Sequence, residues 1–369
     1  MMKGITRLYF MLACLLLASL QINGQGLQTP RVSPPAELKQ TIGLTNIVVN
    51  YSRPQVKRDG KDRTDKIWGG PAWYGFMKTR NGEIPWRAGA NENTLISFSD
   101  DVKVQGKSLK AGKYGLHMAL SEAGKTTVIF SKKTDDWGSF GYNPAEDALR
   151  VETEMQDAAF TNSLTYDFVE LGSDYGVLAL SWEKKRIPIK IEIDLKTTVL
   201  ANLRKQLAHG GAESWQATNN AAAYCAQNNY NHEEALKWVN MSIGIDENVQ
   251  NLSTKAQLLY QTGKQEESIK TSDIVAQKSD INQLNNLGYQ MIQIGLPQKA
   301  VAYFELNAER NPEDANCYDS LGEGYMAAGD NKKAIKSFKK ALSLNPVDNV
   351  KQNSLANLEK LGVKQEDKN

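Results

Sequence analysis

The strongest constraint on this chain is a repeat of fixed length toward its C-terminal end. Leu321-Gly322, Tyr325, Gly329, Ala334, Phe338 and Pro346 each have a counterpart 34 residues earlier, in Leu287-Gly288, Met291, Gly295, Ala300, Phe304 and Pro312. A period of this size marks a stacked array in which each unit buries its apolar face against its neighbours. The spacing has a direct physical reading. Small residues (Gly288 with Ala300, Gly322 with Ala334) let two helices of one hairpin approach closely, Gly295 and Gly329 end the first helix in a left-handed conformation, and Pro312 and Pro346 stop the second. A degraded copy has Ala256, Leu259, Gly263, Ser268 and Val275, and a weaker one Ala223, Ala226, Ala235 and Val239. From Leu195 onward the hydrophobic period is 3.6, so residues 196–215 read as a linker helix, 216–362 as four helix hairpins closed by a capping helix over Val347–Leu361, and 363–369 as a polar tail.

These residues resemble the tetratricopeptide repeat over roughly 216–349. The resemblance implies that the first helix of each pair lines a concave face. The groove positions it assigns include Asn220 and Tyr224, then Gln257 and Tyr260, then Asn282, Asn285 and Tyr289, and finally Asn316, Asp319 and Glu323. Amides can hydrogen-bond an extended peptide backbone, and tyrosines add rigid contact area at low entropic cost. Lys and Arg are missing from these positions, which argues against a clamp for a terminal carboxylate. The expected partner is a protein or peptide; the alternative is an array serving only as a spacer.

Before residue 196 the pattern is period two, rich in Gly and aromatics and cut by turn residues every eight to twelve positions, as in antiparallel all-β domains. Candidate strands are 47–51, 94–98, 102–105, 114–120, 126–130, 164–171, 177–182 and 187–193. In the last, Ile187, Ile189, Ile191 and Ile193 share one face, and Pro188, which cannot donate to a ladder, predicts an edge strand or a strand start. Hairpin turns are expected at 105–107 and 122–125. The fold class is therefore a multidomain β + α chain: an antiparallel, sandwich-like all-β domain over 36–195 followed by an all-α helical-hairpin solenoid.

Within the β half, Tyr51-Ser52-Arg53-Pro54, Ile67-Trp68-Gly69-Gly70, the run from Trp86 to Thr94, Lys110–Leu116, Val128–Ser131, Trp137-Gly138 and Leu180-Ser181-Trp182-Glu183 stand in order. Together they resemble the bacterial family known as domain of unknown function 2911, over about 30–194. That resemblance implies an exported all-β domain and carries no functional residues across. Read by themselves, Arg53, Arg87, Asn91 and Glu92 beside Trp68 and Trp86 are equipped to grip a carboxylate or a sugar. The structural alternative is that Arg87 pairs with Glu92 to close a loop.

Lys3 and Arg7, an apolar run from Leu8 to Leu20 and a small-residue stretch ending at Gly24 form an export signal with cleavage before Gln25, followed by a linker over 25–35. At 13 residues the run is shorter than the ~20 a spanning helix needs, so no membrane span is expected in the mature chain, which is read as periplasmic or secreted. The chain holds 44 Lys+Arg and 42 Asp+Glu, and losing Lys3 and Arg7 leaves 42 of each. That balance argues against nucleic-acid binding.

Catalytic and cofactor signatures are not found. His232 has no second His four residues on, His209 precedes two glycines, and His117 is expected as a partly exposed strand residue. Gly172-Ser173-Asp174-Tyr175-Gly176 has its serine one place early for a nucleophile elbow. Glu152 and Glu154 read as solvated, and Cys225 and Cys317 as small hydrophobes. The expectation is a non-catalytic, exported interaction scaffold with no metal and no cofactor; the alternative is small-molecule or glycan binding by the β domain, with the repeats presenting it.

Overall fold

The computed structural model describes residues 29–80 and 82–363. The export signal, its cleavage point and most of the polar tail lie outside them. The chain divides into two compact units after Ala201.

In the first unit the strands are β1 (Pro35–Ile42), β2 (Thr45–Ser52), β3 (Lys57–Arg58), β4 (Lys61–Asp62), β5 (Met77–Thr79), β6 (Gly82–Ile84), β7 (Leu95–Phe98), β8 (Val102–Val104), β9 (Lys107–Leu109), β10 (Gly112–Leu120), β11 (Lys125–Ser131), β12 (Asp147–Glu154), β13 (Gln156–Leu171) and β14 (Tyr175–Ile193). Six form one antiparallel sheet in the order β1-β2-β7-β10-β11-β12 and four another in the order β13-β14-β8-β9; β3-β4 and β5-β6 are short ribbons. Ile47, Val49, Ile96, Phe98 and Leu116 of the larger sheet share one core with Leu178, Leu180, Trp182, Ile189 and Ile191 of the smaller. The turns form where small polar residues permit positive φ. Gln105 and Gly106 (φ 47° and 77°) link β8 to β9, and Asp59 and Gly60 (50° and 75°) link β3 to β4.

Three local expectations change. Strands 177–182 and 187–193 are one strand, β14, bent at Glu183, whose φ is 55°; the ladder to β13 is irregular on this stretch, so the alternation breaks while the strand continues. Pro188 lies in this central strand and not at an edge. The ladder to β13 ends at Arg186 and that to β8 begins at Ile191, so residue 188 falls where neither needs its missing N–H. His117 is buried at 2% exposure, because the segment after β11 covers the outer face of β10: its Nδ1 is 2.8 Å from Ser139 Oγ and its ring 5.5 Å from that of Tyr142.

The helices are α1 (Leu195–Ala208), in which the division between units falls, α2 (Trp215–Gln227), α3 (His232–Ile245), α4 (Val249–Gln261), α5 (Gln265–Lys278), α6 (Ile281–Gln293), α7 (Pro297–Arg310), α8 (Ala315–Ala327), α9 (Asn331–Ser343) and α10 (Asp348–Lys360). α2 to α9 form four hairpins and α10 caps the last. No helix among the described residues is long and apolar enough to cross a membrane. The glycine logic holds at the close approaches. A Cβ on Gly288 would sit 2.4 Å from the Phe304 ring and one on Gly322 2.5 Å from that of Phe338. Gly263, Gly295 and Gly329 have φ of 76–80° after each first helix, and in the first hairpin Asn229 (52°) takes that place.

Candidate binding sites in the two units

The β unit contains a pocket of about 540 Å³ lined by the β3-β4 ribbon, the loop from Arg87 to Asn91, Pro54, Pro71 and Trp73, with Trp86 and Trp182 at its base. Three of the residues singled out from sequence, Trp86, Arg87 and Asn91, line it, and three do not. Arg53 is spent on the β13 edge, donating to the Leu164 carbonyl (3.0 Å) and to Thr165 Oγ1 (2.6 Å). Glu92 pairs with Arg31 (2.5 Å), so the expected Arg87–Glu92 pair does not form; Arg87 instead donates to the Asn91 carbonyl (2.6 Å). Trp68 packs edge-on against Trp86 and Trp182, which stack with planes 9° apart. With Trp86 and Trp182 each 1% exposed, these stacked indoles belong to the core and offer a ligand little surface.

Residues missed from sequence complete the pocket: Arg58, Lys61, Arg63 and Trp182. The Asp-Gly turn between basic residues was the available signal for the ribbon. Glu183, buried beside Trp182, accepts the Asp65 N–H (3.2 Å) and so ties the loop after the ribbon to β14. On the outer face of β10, burial and then the Arg87 charge bring the His117 pKa down to about 4, so the imidazole is neutral at pH 7.

Residues 33–191 match the family described as Protein of unknown function (DUF2911). The matched segment thus contains every pocket-lining residue except Val32, and every sequence motif quoted for that resemblance.

In the helical unit the groove positions split into two sets. Toward the C-terminal end they are bound to one another. The Tyr289 hydroxyl donates to Glu323 Oε2 (2.7 Å) and accepts from Ser320 Oγ (3.1 Å). Asn353 of α10 donates to Asp319 Oδ2 (2.7 Å) and Glu323 Oε1 (2.6 Å), and Ser354 donates to the other Asp319 oxygen. Asp319 is 4% exposed, and burial raises its pKa above the usual aspartate range. The amides of the capping helix therefore close this end, and Asp319, Glu323 and Tyr289 are occupied. Asn282 and Asn316 are exposed in the first turns of α6 and α8, Asn285 is half-buried, Asn220 is exposed on α2, and Tyr224 packs edge-on against Tyr230.

Between the second and third hairpins lies a cleft of about 420 Å³. Gln257 and Tyr260 line it, with Gln227 at the end of α2 and Gln290, Met291 and Ile294 of the third hairpin. Two sequence departures open it. α4 and α6 begin 32 residues apart, against 34 for α2 to α4 and α6 to α8, and only Ser279-Asp280 links α5 to α6, where Asn311-Pro312-Glu313-Asp314 links α7 to α8. On α5, Ser272 stands at the turn that Phe304 occupies on α7 and Phe338 on α9. The short link is held by Arg310, which donates to the carbonyls of Ala276 (3.1 Å) and Ser279 (3.3 Å).

Residues 315–346 match the tetratricopeptide repeat model, and this repeat architecture supports a protein-interaction scaffold. Over 59 residues the chain is 41% identical to Superkiller complex protein 3 of Mus musculus and of Homo sapiens, a stretch covering 16% of this chain and 4% of each of those proteins. The chain thus spans a small fraction of these curated relatives. Among solved structures, MamA is 16% identical with a TM-score of 0.31, covering 39% of this chain and 80% of that one. YrrB, described as a TPR protein with an unusual peptide-binding site, is 14% identical with a TM-score of 0.30, covering 44% and 85%.

Proposed function

We propose that the chain is an exported, non-catalytic scaffold that docks an extended, uncharged stretch of a partner protein of the cell envelope in the cleft between its second and third hairpins. The observation that carries this reading is the lining of the cleft. None of its side chains is charged, and glutamines and Tyr260 surround an apolar patch of Val275, Leu287, Met291 and Ile294. Gln261 donates to the Ala226 carbonyl (2.8 Å) while its buried Oε1 has no partner among the described residues. Such a surface offers donors and acceptors to a peptide backbone and desolvates no fixed charge. Gln257 and Tyr260 are the groove residues assigned to contact; the N-terminal signal pattern supports export.

Selection of a random peptide library on the purified protein tests the docking. The wild type is expected to enrich uncharged sequences, and Gln257→Ala with Tyr260→Ala to weaken them at least about tenfold, as loss of an aromatic anchor and a buried hydrogen bond does. Enrichment of charged peptides, or selection indifferent to the double substitution, sinks the reading. Export is checked by N-terminal sequencing of protein recovered from the envelope fraction: a first residue of Gln25 is expected, and an intact Met1 in the cytosol contradicts it.

A further inference from the structure

The pocket of the β unit is unusual for its charge. Arg58, Lys61, Arg63 and Arg87 line it against one carboxylate, Asp59, and Asp59 Oδ2 already accepts from Arg58 Nε (2.9 Å). Arg63 and Arg87 have no carboxylate within ion-pair distance among the described residues. Each donates to a backbone carbonyl, Arg63 to Gln55 and Arg87 to Asn91. A guanidinium taken partly out of water without a counter-ion costs free energy that a bound anion recovers. Two such groups beside Lys61 in one concavity focus a positive potential there.

The cations are also held in place. The Arg63 guanidinium lies 5.8 Å from the Trp182 ring centroid and that of Arg87 5.5 Å from the Phe140 ring. Arg87 is pressed so closely on Gly138 that a Cβ there would stand 2.3 Å from its Cζ. The loop that carries Arg87 contains two non-glycine residues at positive φ, Ala88 (50°) and Asn91 (61°). It is fixed by Tyr166 Oη and Thr94 Oγ1 donating to the Ala88 carbonyl (2.9 and 3.2 Å) and by Asn91 Nδ2 donating to the Ser33 carbonyl (3.0 Å). Backbone strain maintained by surrounding bonds is a feature of ligand clamps, and rigidity before binding lowers the entropic cost of it. A volume of about 540 Å³ suits a small molecule.

We propose that this pocket is a binding site for a small organic carboxylate, its charge received by the Arg63–Arg87 pair with Lys61 at the rim and its body laid against Pro54, Pro71 and Trp73. Guanidinium forks match the planar carboxylate better than a point charge does, and the proline and indole walls favour a carbon body over a hydrated inorganic ion. Acidic sugars and aromatic acids share this chemistry. The proposal is independent of peptide docking by the repeats.

Titration calorimetry on the purified full chain tests it with D-glucuronate and benzoate, their neutral counterparts D-glucose and benzyl alcohol, and sodium sulfate. Binding of one of the two acids is expected, weakening as sodium chloride rises, with neither neutral counterpart binding. Which acid binds distinguishes the two sources. Arg87→Gln should weaken binding at least about tenfold. Lys61→Gln, at an exposed position of β4 where folding is not at risk, should weaken it about threefold, and Lys190→Gln, outside the pocket, should leave it unchanged. The proposal is overturned if neither acid binds, if a neutral counterpart or sulfate binds as tightly as the acid, or if both Arg87→Gln and Lys61→Gln bind as the wild type does.

Discussion

Phe304 and Ser272 stand at the same turn of neighbouring second helices, yet the junctions they serve have opposite character. Phe304 is fully buried between two glycines: a Cβ on Gly288 of its own hairpin would meet its ring at 2.4 Å, and one on Gly324 of the next hairpin at 2.7 Å. At the preceding junction the sizes are exchanged, with the small Ser272 on α5 and Gln290 standing 34 residues before Gly324. One junction is filled by an aromatic ring and the other is a cleft lined with amides. The same architecture thus yields a rigid element and a receptive one by moving a few side-chain volumes and removing two link residues, which is how a close-packed interior makes room.

Removing the ring tests the comparison most severely. Phe304→Ala should cost about 3–5 kcal/mol, as large-to-small changes in packed cores do, read by urea unfolding together with faster amide exchange in α6 to α8. A loss under about 1 kcal/mol would mean that the filled junction is no better packed than the open one.

Titration sharpens the contrast between units. The His117 pKa is lowered from 6.5 to about 4, so the unfolded chain binds more protons in that window and the β unit loses stability as pH falls through it, by something on the order of 3 kcal/mol in full. Asp319 has the opposite sign. Its folded pKa is raised by burial, so the folded state holds the extra proton and its contribution to stability grows as pH falls through the folded value. Amide exchange followed separately in the two units should show these opposite trends, with His117→Gln flattening the first and Asp319→Asn the second. Parallel trends in both variants and wild type would break the assignment.

Tyr289→Phe removes the hydroxyl that joins α6 to Glu323 and should cost about 1 kcal/mol with peptide selection unchanged; a loss of selection instead would return Tyr289 to the docking surface. Ser272→Leu should abolish peptide selection by filling the cleft. Retained selection would place the docking face elsewhere.

Much of this was legible in the residues. The 34-residue spacing announced the hairpins, and Gly288 and Gly322 announced where the two helices of a pair come close. Alternation located the inner strands. β1 escaped the search because it is an edge of the six-stranded sheet with a largely polar surface, and an edge needs less apolar pattern than an interior strand. The groove was only half legible. The repeat resemblance picked out Gln257 and Tyr260, which line the cleft, but it could not show that α10 supplies Asn353 and Ser354 to occupy Asp319 and Glu323, since those contacts cross 30–35 residues.

By itself the sequence determined the class of each half, because hydrophobic period and turn chemistry are local properties that act within a few residues. It also determined where the helices of each hairpin come close, at Gly288 and Gly322. The tertiary structure alone decided which charges are satisfied. Arg53 and Arg87 look alike in the sequence, yet one is spent on the edge of β13 and the other lines a cationic pocket. Whether a charge finds a partner depends on which distant segment folds over it, and no local pattern encodes that.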